Sequence, residues 1–490
     1  MKSIKIDEFK NFKFLGNLHL SKNEKNLFYT VSNMNLEKNS YEHRIYKMDL
    51  ETKKSFVFTN GAKESSFTEL LDGSILFASD REDSKDDSEV TKFYRICPCG
   101  GEATLDFTIP ALVNTIKQIN EDEFLVLANF NRTKELEKIE KESKKDENKE
   151  NLYDDSKDYL VATEIPFWGN NVGFTNENRS RLYLFNKKTS EFIPLSDDIT
   201  DNYCLQLNED KTKAVFIANS YVGKMPLVTE VRILDIKTKA VEVLAKDYSF
   251  EYVNFIDSRN IITIATDMKE YGLNENSNIY IINIESKSFE KIVNDNFDMC
   301  MHNSVGTDIR LTGGKSILVK NGFMYFINTE VNSAYLYKID KEGNLERLNE
   351  KSGSIDCFDV SKDGKIYAIA LKDSNLQDIY EITTESENRI SFHNDTSDYS
   401  LSEVEEISFT NDGIGFIGYV MKPTDFDPDK KYPGVLHVHG GPKTVFGKVF
   451  HHEMQFLANN GYFVFFTNPR GSDGRGKEFA DIRGKYGEIE

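Results

Sequence analysis

Cysteine is scarce in this chain, positive charge is outnumbered and no long apolar run occurs; each shortage excludes something. The five cysteines, Cys97, Cys99, Cys204, Cys300 and Cys357, are odd in number and widely scattered over 490 residues. Such a set supports no disulfide framework and suits a reducing compartment. Cys97-Pro98-Cys99 has no second pair to complete a tetrahedral metal site. Followed by Gly100-Gly101, it predicts a hairpin turn. No apolar stretch reaches the ~20 residues of a membrane-spanning helix. The first ten residues alternate charged with apolar side chains and lack the apolar centre of a secretory signal. Lys and Arg total 61 against 81 Asp and Glu, a net charge of −20. Phosphate binding needs a basic face, so a nucleic-acid partner is not expected. The reading is a soluble, cytoplasmic protein with no membrane partner and no cofactor.

What is present is a globular chain rich in aromatics, at 12%, with short strands up to about residue 395. The strands are apolar, aromatic and β-branched, with turn residues between them. They recur as a unit. Arg44-Ile45-Tyr46-Lys47-Met48-Asp49 is echoed by Arg181-Leu182-Tyr183-Leu184-Phe185-Asn186, by Asn278-Ile279-Tyr280-Ile281-Ile282-Asn283 and by Tyr335-Leu336-Tyr337-Lys338-Ile339-Asp340. A four-stranded repeat of ~45–50 residues is the signature of a β-propeller blade. About seven units are expected, starting near residues 14, 64, 111, 202, 250, 298 and 354. A β-sandwich array is the alternative, and the regular period disfavours it. Residues 131–158 are almost wholly charged and read as a solvated insertion between two strands of the third blade, with a lid or subunit contact as the other reading.

The pattern changes near residue 397. A hairpin is predicted over 407–421 around Asn411-Asp412-Gly413, then a buried-type strand over 434–439. A helix follows over about 448–460, with Phe450, Met454 and Leu457 on one face and Gly461 at its C-terminal cap. A second buried strand covers 462–467. Strand, loop, helix, strand is the alternation of a doubly wound sheet. The expected organisation is an N-terminal segment (1–13), a β-propeller (14–395) and part of an α/β domain (396–490).

Two segments carry specific motifs: His437-Val438-His439-Gly440-Gly441-Pro442 and Asn468-Pro469-Arg470-Gly471-Ser472, the latter with Gly474 and Gly476. With Asp412-Gly413 and the run from Lys431 to Leu436, they resemble the prolyl oligopeptidase family of serine peptidases. The nearest branch is the acylaminoacyl-peptidase and dipeptidyl-aminopeptidase group. The resemblance implies an α/β-hydrolase domain behind a propeller. It implies that His439, Gly440, Gly441 and Pro442 form the oxyanion loop, whose backbone N–H groups stabilise charge on the attacked carbonyl. It also implies that Asn468, Arg470, Gly471 and Ser472 form scaffold around the active site, with Arg470 holding the carboxyl edge of the sheet. The family places an aromatic residue where this chain has Arg475, so different local packing is expected there. Glu164, in Glu164-Ile165-Pro166-Phe167-Trp168, resembles a propeller segment that binds a substrate amino terminus; an ordinary strand-end carboxylate is the alternative.

Ser472 lies outside a Gly-x-Ser-x-Gly frame and is not read as a nucleophile. His437, His439, His451 and His452 cluster in sequence, but no carboxylate pattern follows them, so packing rather than metal binding is expected. No Gly-x-Ser-x-Gly elbow occurs in the 490 residues. In this fold Ser, Asp and His follow in that order, so the triad is expected beyond residue 490 and the chain alone is expected to be inactive. The resemblance implies an exopeptidase or oligopeptidase that releases N-terminal residues from short peptides. The expected partners are such peptides, with a homo-oligomer or a complementing C-terminal hydrolase fragment as further candidates. The alternatives are a non-catalytic propeller that binds a ligand, or one half of a split enzyme.

Overall fold

The computed structural model describes residues 1–81, 89–135, 159–170, 172–441 and 443–483. The chain is mainly β: a propeller followed by the first part of an α/β-hydrolase domain. Seven consecutive four-stranded units span residues 14–57, 67–109, 113–194, 200–248, 249–291, 317–347 and 354–389, the fourth and fifth sharing the long strand Val241–Phe255. Each unit is an antiparallel meander whose inner strands are almost fully buried, as in Ile261 to Ala265 and Phe326 to Ile327. A blade buries two faces only by stacking on its neighbours.

The ring closes through side chains. Leu15, Leu18, Leu27 and Tyr29 of the first blade share one core with Cys357, Tyr367, Ile369 and Ile379 of the seventh. Gln377 Oε1 accepts the Leu15 N–H at 3.0 Å, and Asp359 accepts the Leu20 N–H at 3.0 Å. At this closure His393 Nε2 lies 2.7 Å from the Tyr29 hydroxyl, and the ring packs edge-on against Tyr29 and Tyr46. Burial, reinforced by Lys13, pushes the His393 imidazole down to about 4. The charged groups beside it are Lys13 and the Asp378–Arg389 pair, with Asp378 accepting the His393 N–H at 3.0 Å.

The folded-state value is depressed, so the unfolded chain takes up a proton that the folded ring refuses. This contribution to stability is full above pH ~6.5 and is lost as pH falls toward 4, amounting to roughly 2–3 kcal/mol. Denaturant titrations at pH 7 and 4.5 should show that loss in the parent and a shallower loss in His393→Gln; equal slopes would remove His393 as the cause.

The sixth unit starts at Ile317, not near 298. Residues 298–316 form no strand because they run along the seam with the second domain. Residues 136–158 of the charged insertion lie outside the described residues; the strands on either side pair in register, Asn131 opposite Asn178. The expected turn at Gly100 is present, with the Gly100 N–H on the Cys97 carbonyl. Cys97 and Cys99 are disulfide-bonded within it, where the sequence led us to expect no disulfide framework. That link ties one turn to itself and joins no separate elements.

The second domain contains β1 (Val404–Asn411), β2 (Ile414–Met421), β3 (Gly434–His437), α1 (His452–Asn459), β4 (Phe463–Thr467) and α2 (Lys477–Ala480). The sheet order is β1-β2-β4-β3, with β3 and β4 parallel and joined by α1. Asp412 and Gly413 both take positive φ, which closes the two-residue hairpin. Tyr419, Phe446, Met454, Val464 and Phe466 form the core between sheet and helix. Leu436 and Val438 are more than half exposed along β3 and just after it.

Helix α1 begins four residues later than its periodicity suggests. Phe450 is fully buried, but in the core shared with Phe12 and Val305 rather than on the helix. The N–H groups of His452 and Glu453 donate to Asp308, at 2.7 and 2.8 Å. A propeller carboxylate therefore caps this helix, a contact no local pattern encodes. Burial pushes the Asp308 carboxyl up, but His451 and the helix N–H groups outweigh it and hold it below the usual range. Among the described residues no helix is long and apolar enough to cross a membrane.

Candidate functional site

Strands β3 and β4 run parallel, so the loops after them leave the sheet on the same side, where α/β folds bind ligands. The loop after β3 carries His439, Gly440 and Gly441; Pro442 lies outside the described residues. The loop after β4 carries Asn468, Arg470, Gly471 and Ser472. The structure brings the two together. Asn468 Oδ1 accepts the Phe446 N–H at 2.6 Å and its amide donates back to the Phe446 carbonyl at 2.9 Å. Lys443 N–H donates to the Gly471 carbonyl at 2.7 Å. Ser472 Oγ lies 3.2 Å from His439 Nε2, and Ser472 is 1% exposed. Burial lowers the His439 pKa, so the imidazole is neutral at neutral pH. Ser472 is thus a packed hydroxyl that orients His439.

Arg470 is partly buried and donates to Asp412 Oδ2 at 3.0 Å and to the Asn411 carbonyl. It ties the second loop to the β1–β2 turn. Arg475 takes the place of the expected aromatic side chain by lying on aromatics itself. Its guanidinium sits 4.1 Å from the Phe479 ring centroid and donates to the Gly415 carbonyl at 2.9 Å. The neighbouring histidines are spent on packing. His437 approaches Glu453 at 3.3 Å, His452 Nε2 meets the Lys5 carbonyl at 2.9 Å and His451 lies 3.1 Å from Asp308.

Glu164 stands apart from these loops. Its Oε1 and Oε2 receive Arg179 Nη2 at 2.6 Å and Nη1 at 3.0 Å, and Oε2 also accepts the Glu177 N–H. Arg179 donates further to the carbonyls of Ile199 and Tyr221 and lies 3.8 Å from the Tyr221 ring centroid. The carboxylate is buried with its charge already balanced by Arg179.

Sequence reasoning missed the residues that position the loops against the propeller. The connector between the fifth and sixth blades does most of this. Asp298 accepts the Lys477 N–H at the start of α2, as Asp308 does for α1. Val305 pairs with Val445, and Thr307 Oγ1 donates to the Phe450 carbonyl. Asp473 is 1% exposed and accepts from Ser304 Oγ at 2.5 Å, with His302 Nε2 at 3.1 Å. Burial pushes the Asp473 carboxyl up, but these two partners hold it below its ordinary value. Lys443 Nζ reaches Asn276 Oδ1 at 2.7 Å. An acid next to Ser472 in a glycine-rich loop was the one available signal.

A propeller whose connector grips the glycine loops of a parallel β-α-β unit defines a class: a propeller followed by an α/β-hydrolase-type domain. Residues 448–490 match the model of the prolyl oligopeptidase family. The chain is 27% identical over 474 residues to the uncharacterized peptidase YuxL of Bacillus subtilis, covering 94% of this chain and 70% of that protein. Over a shorter stretch of 81 residues it is 36% identical to dipeptidyl-peptidase 5 of Porphyromonas gingivalis, covering 16% of this chain and 12% of that one. Among solved structures, Pyrococcus horikoshii acylaminoacyl peptidase superposes with a TM-score of 0.74 at 19% identity, over 98% of this chain and 69% of that one. In these matches the chain is similar to the prolyl oligopeptidase family of serine peptidases.

Proposed function

We propose that this chain is the access-controlling and oxyanion-loop portion of a cytoplasmic serine exopeptidase or oligopeptidase that removes N-terminal residues from short peptides. The observation that carries the reading is the knitting of the His439-Gly440-Gly441 loop to the Asn468–Ser472 loop on the side of the sheet that meets the propeller. Preorganised backbone donors on such a loop are worth ~10²–10³ in rate per donor. The propeller restricts access to small, flexible substrates. In the reaction, serine attacks the peptide carbonyl, histidine takes its proton and returns it to the leaving amine, and an acid orients the histidine. The 490 residues contain no nucleophile elbow, so these three groups are proposed to lie outside them. The exposed Leu436 and Val438 support this, because an apolar parallel edge calls for a covering strand.

The test compares two polypeptides. One extended in frame through a Gly-x-Ser-x-Gly should label with a fluorophosphonate probe and cleave aminoacyl-naphthylamides, while residues 1–490 alone should do neither. If the extended protein is inert to both probe and substrates, the peptidase reading fails and a ligand-binding propeller takes its place. Recovery of labelling on mixing 1–490 with a separate C-terminal fragment would identify a split enzyme.

A further inference from the structure

We propose that Cys300, His302 and Asp473 form a zinc-binding clasp between the propeller and the hydrolase domain. One ligand atom from each of the three lies within 4.8 Å of the others. Cys300 and His302 belong to the connector between the fifth and sixth blades, and Asp473 to the loop after β4. The cluster therefore spans the seam. Asp473 directly follows Ser472 in the second glycine loop, but the three donors are argued from their own geometry and do not depend on the peptidase reading.

Three observations point to a cation. First, Asp473 Oδ1 has no hydrogen-bond partner among the described residues, although the residue is 1% exposed. A buried, unpartnered carboxylate oxygen is costly and calls for a cation or a donor. Second, His302 Nδ1 lies 2.6 Å from the Cys300 carbonyl. Donation there, assigned from the hydrogen-bond pattern, points Nε2 at Asp473, which is the outer-shell arrangement that orients a metal-binding imidazole. Third, a cavity of about 270 Å³ is lined by Cys300, Asp473, Asp298 and Gly474, leaving room for water as a fourth ligand. His302 is half exposed, which opens a path from solvent. The nearby Lys443 ammonium is hydrogen-bonded to Asn276 Oδ1 and the Asn274 carbonyl, and its charge also reaches Cys300 and Asp473.

The donor set selects the ion. Thiolate, imidazole and carboxylate together suit Zn²⁺, whereas Ca²⁺ and Mg²⁺ take oxygen ligands. Metal–ligand distances of ~2.0–2.3 Å place tetrahedral donors about 3.5 Å apart, so the cluster closes by roughly an ångström on binding. The ion replaces two protons, the one on the Cys300 thiol and the one that His302 Nε2 donates to Asp473; both pass to solvent. Occupancy joins the connector to the loop that carries Ser472.

The experiment uses the reduced 490-residue chain with Cys97→Ser and Cys99→Ser, which removes the other sulfur pair. Titration with Co²⁺ should give a saturable thiolate-to-cobalt charge-transfer band that Zn²⁺ abolishes at one equivalent per chain. Cys300→Ser should remove the band, and Asp473→Asn should weaken Zn²⁺ binding by about tenfold or more, each with unchanged far-ultraviolet circular dichroism. A purely structural His302–Asp473 pair predicts no band in the parent, and that result overturns the proposal. So does a band that survives Cys300→Ser, or a zinc affinity that Asp473→Asn leaves unchanged.

Discussion

Replacing Glu164 by alanine should destabilise the propeller by about 3–5 kcal/mol, the cost of stranding a buried charge. The Arg179 guanidinium has a side chain only 2% exposed, and Glu164 supplies both of its charge-compensating contacts. Once the carboxylate is gone, Arg179 keeps its carbonyl partners, the Tyr221 ring and the nearby charge of Asp201, but loses the carboxylate in direct contact. The Glu177 N–H loses its acceptor as well. Glu164→Gln keeps the shape and one acceptor, and should cost less. The double variant Glu164→Ala with Arg179→Met should recover part of the loss, because it removes the stranded charge. The chain has one tryptophan, Trp168, four residues beyond Glu164. Its fluorescence reports the local transition while circular dichroism reports the whole propeller. If Glu164→Ala unfolds at the parental denaturant concentration, the pair is not structural and the substrate-amine role regains its case.

Gly474→Ala should open the seam between propeller and hydrolase domain. A Cβ at this position would lie 2.7 Å from Val331 N and 3.3 Å from Glu330 C, both backbone atoms that cannot move aside cheaply. The residue also holds φ at +77°, and its carbonyl accepts the Val331 N–H at 2.8 Å. The left-handed conformation costs ~1–2 kcal/mol for a non-glycine residue and overpacking a further ~1–3, so a loss of roughly 2–5 kcal/mol is expected. Gly413→Ala is the control. Gly413 has a similar φ of +76° but open space around its Cβ position, so it should show the conformational cost alone. Differential scanning calorimetry should resolve the two domains into separate transitions in Gly474→Ala and not in Gly413→Ala. A single parental transition in Gly474→Ala would show that the Val331 contact does not hold the seam.

The parts legible in the sequence were those governed by local rules. Alternating apolar strands with turn residues between them marked the blades, since each strand must bury one face and each turn needs its own backbone geometry. The Asp412-Gly413 turn was readable because two consecutive positive-φ positions favour Asp and Gly. The two glycine loops were readable as a resemblance. The start of the sixth blade was misplaced because residues 298–316, where the repeat spacing puts a blade start, run along the seam instead: Val305 pairs with Val445 in the second domain. The start of α1 was misplaced for the same reason, since its cap, Asp308, is 144 residues from the N–H it accepts. The resemblance suggested a substrate-amine role for Glu164, and only the fold shows that Arg179, 15 residues on, pairs with its carboxylate.

By itself, then, the sequence determined a repeating β architecture, a switch to α/β alternation near residue 397, and a pair of glycine-rich loops of a known serine-peptidase type. These follow from period, turn chemistry and short motifs, which act over a few residues. Only the tertiary structure decided how the two domains grip each other: Asp298 and Asp308 capping helices of the other domain, Asp473 meeting His302 and Ser304, and Lys443 reaching Asn276. Helix ends and buried carboxylates must find partners wherever the fold supplies them. Those partners sit more than a hundred residues away, where no local pattern records them.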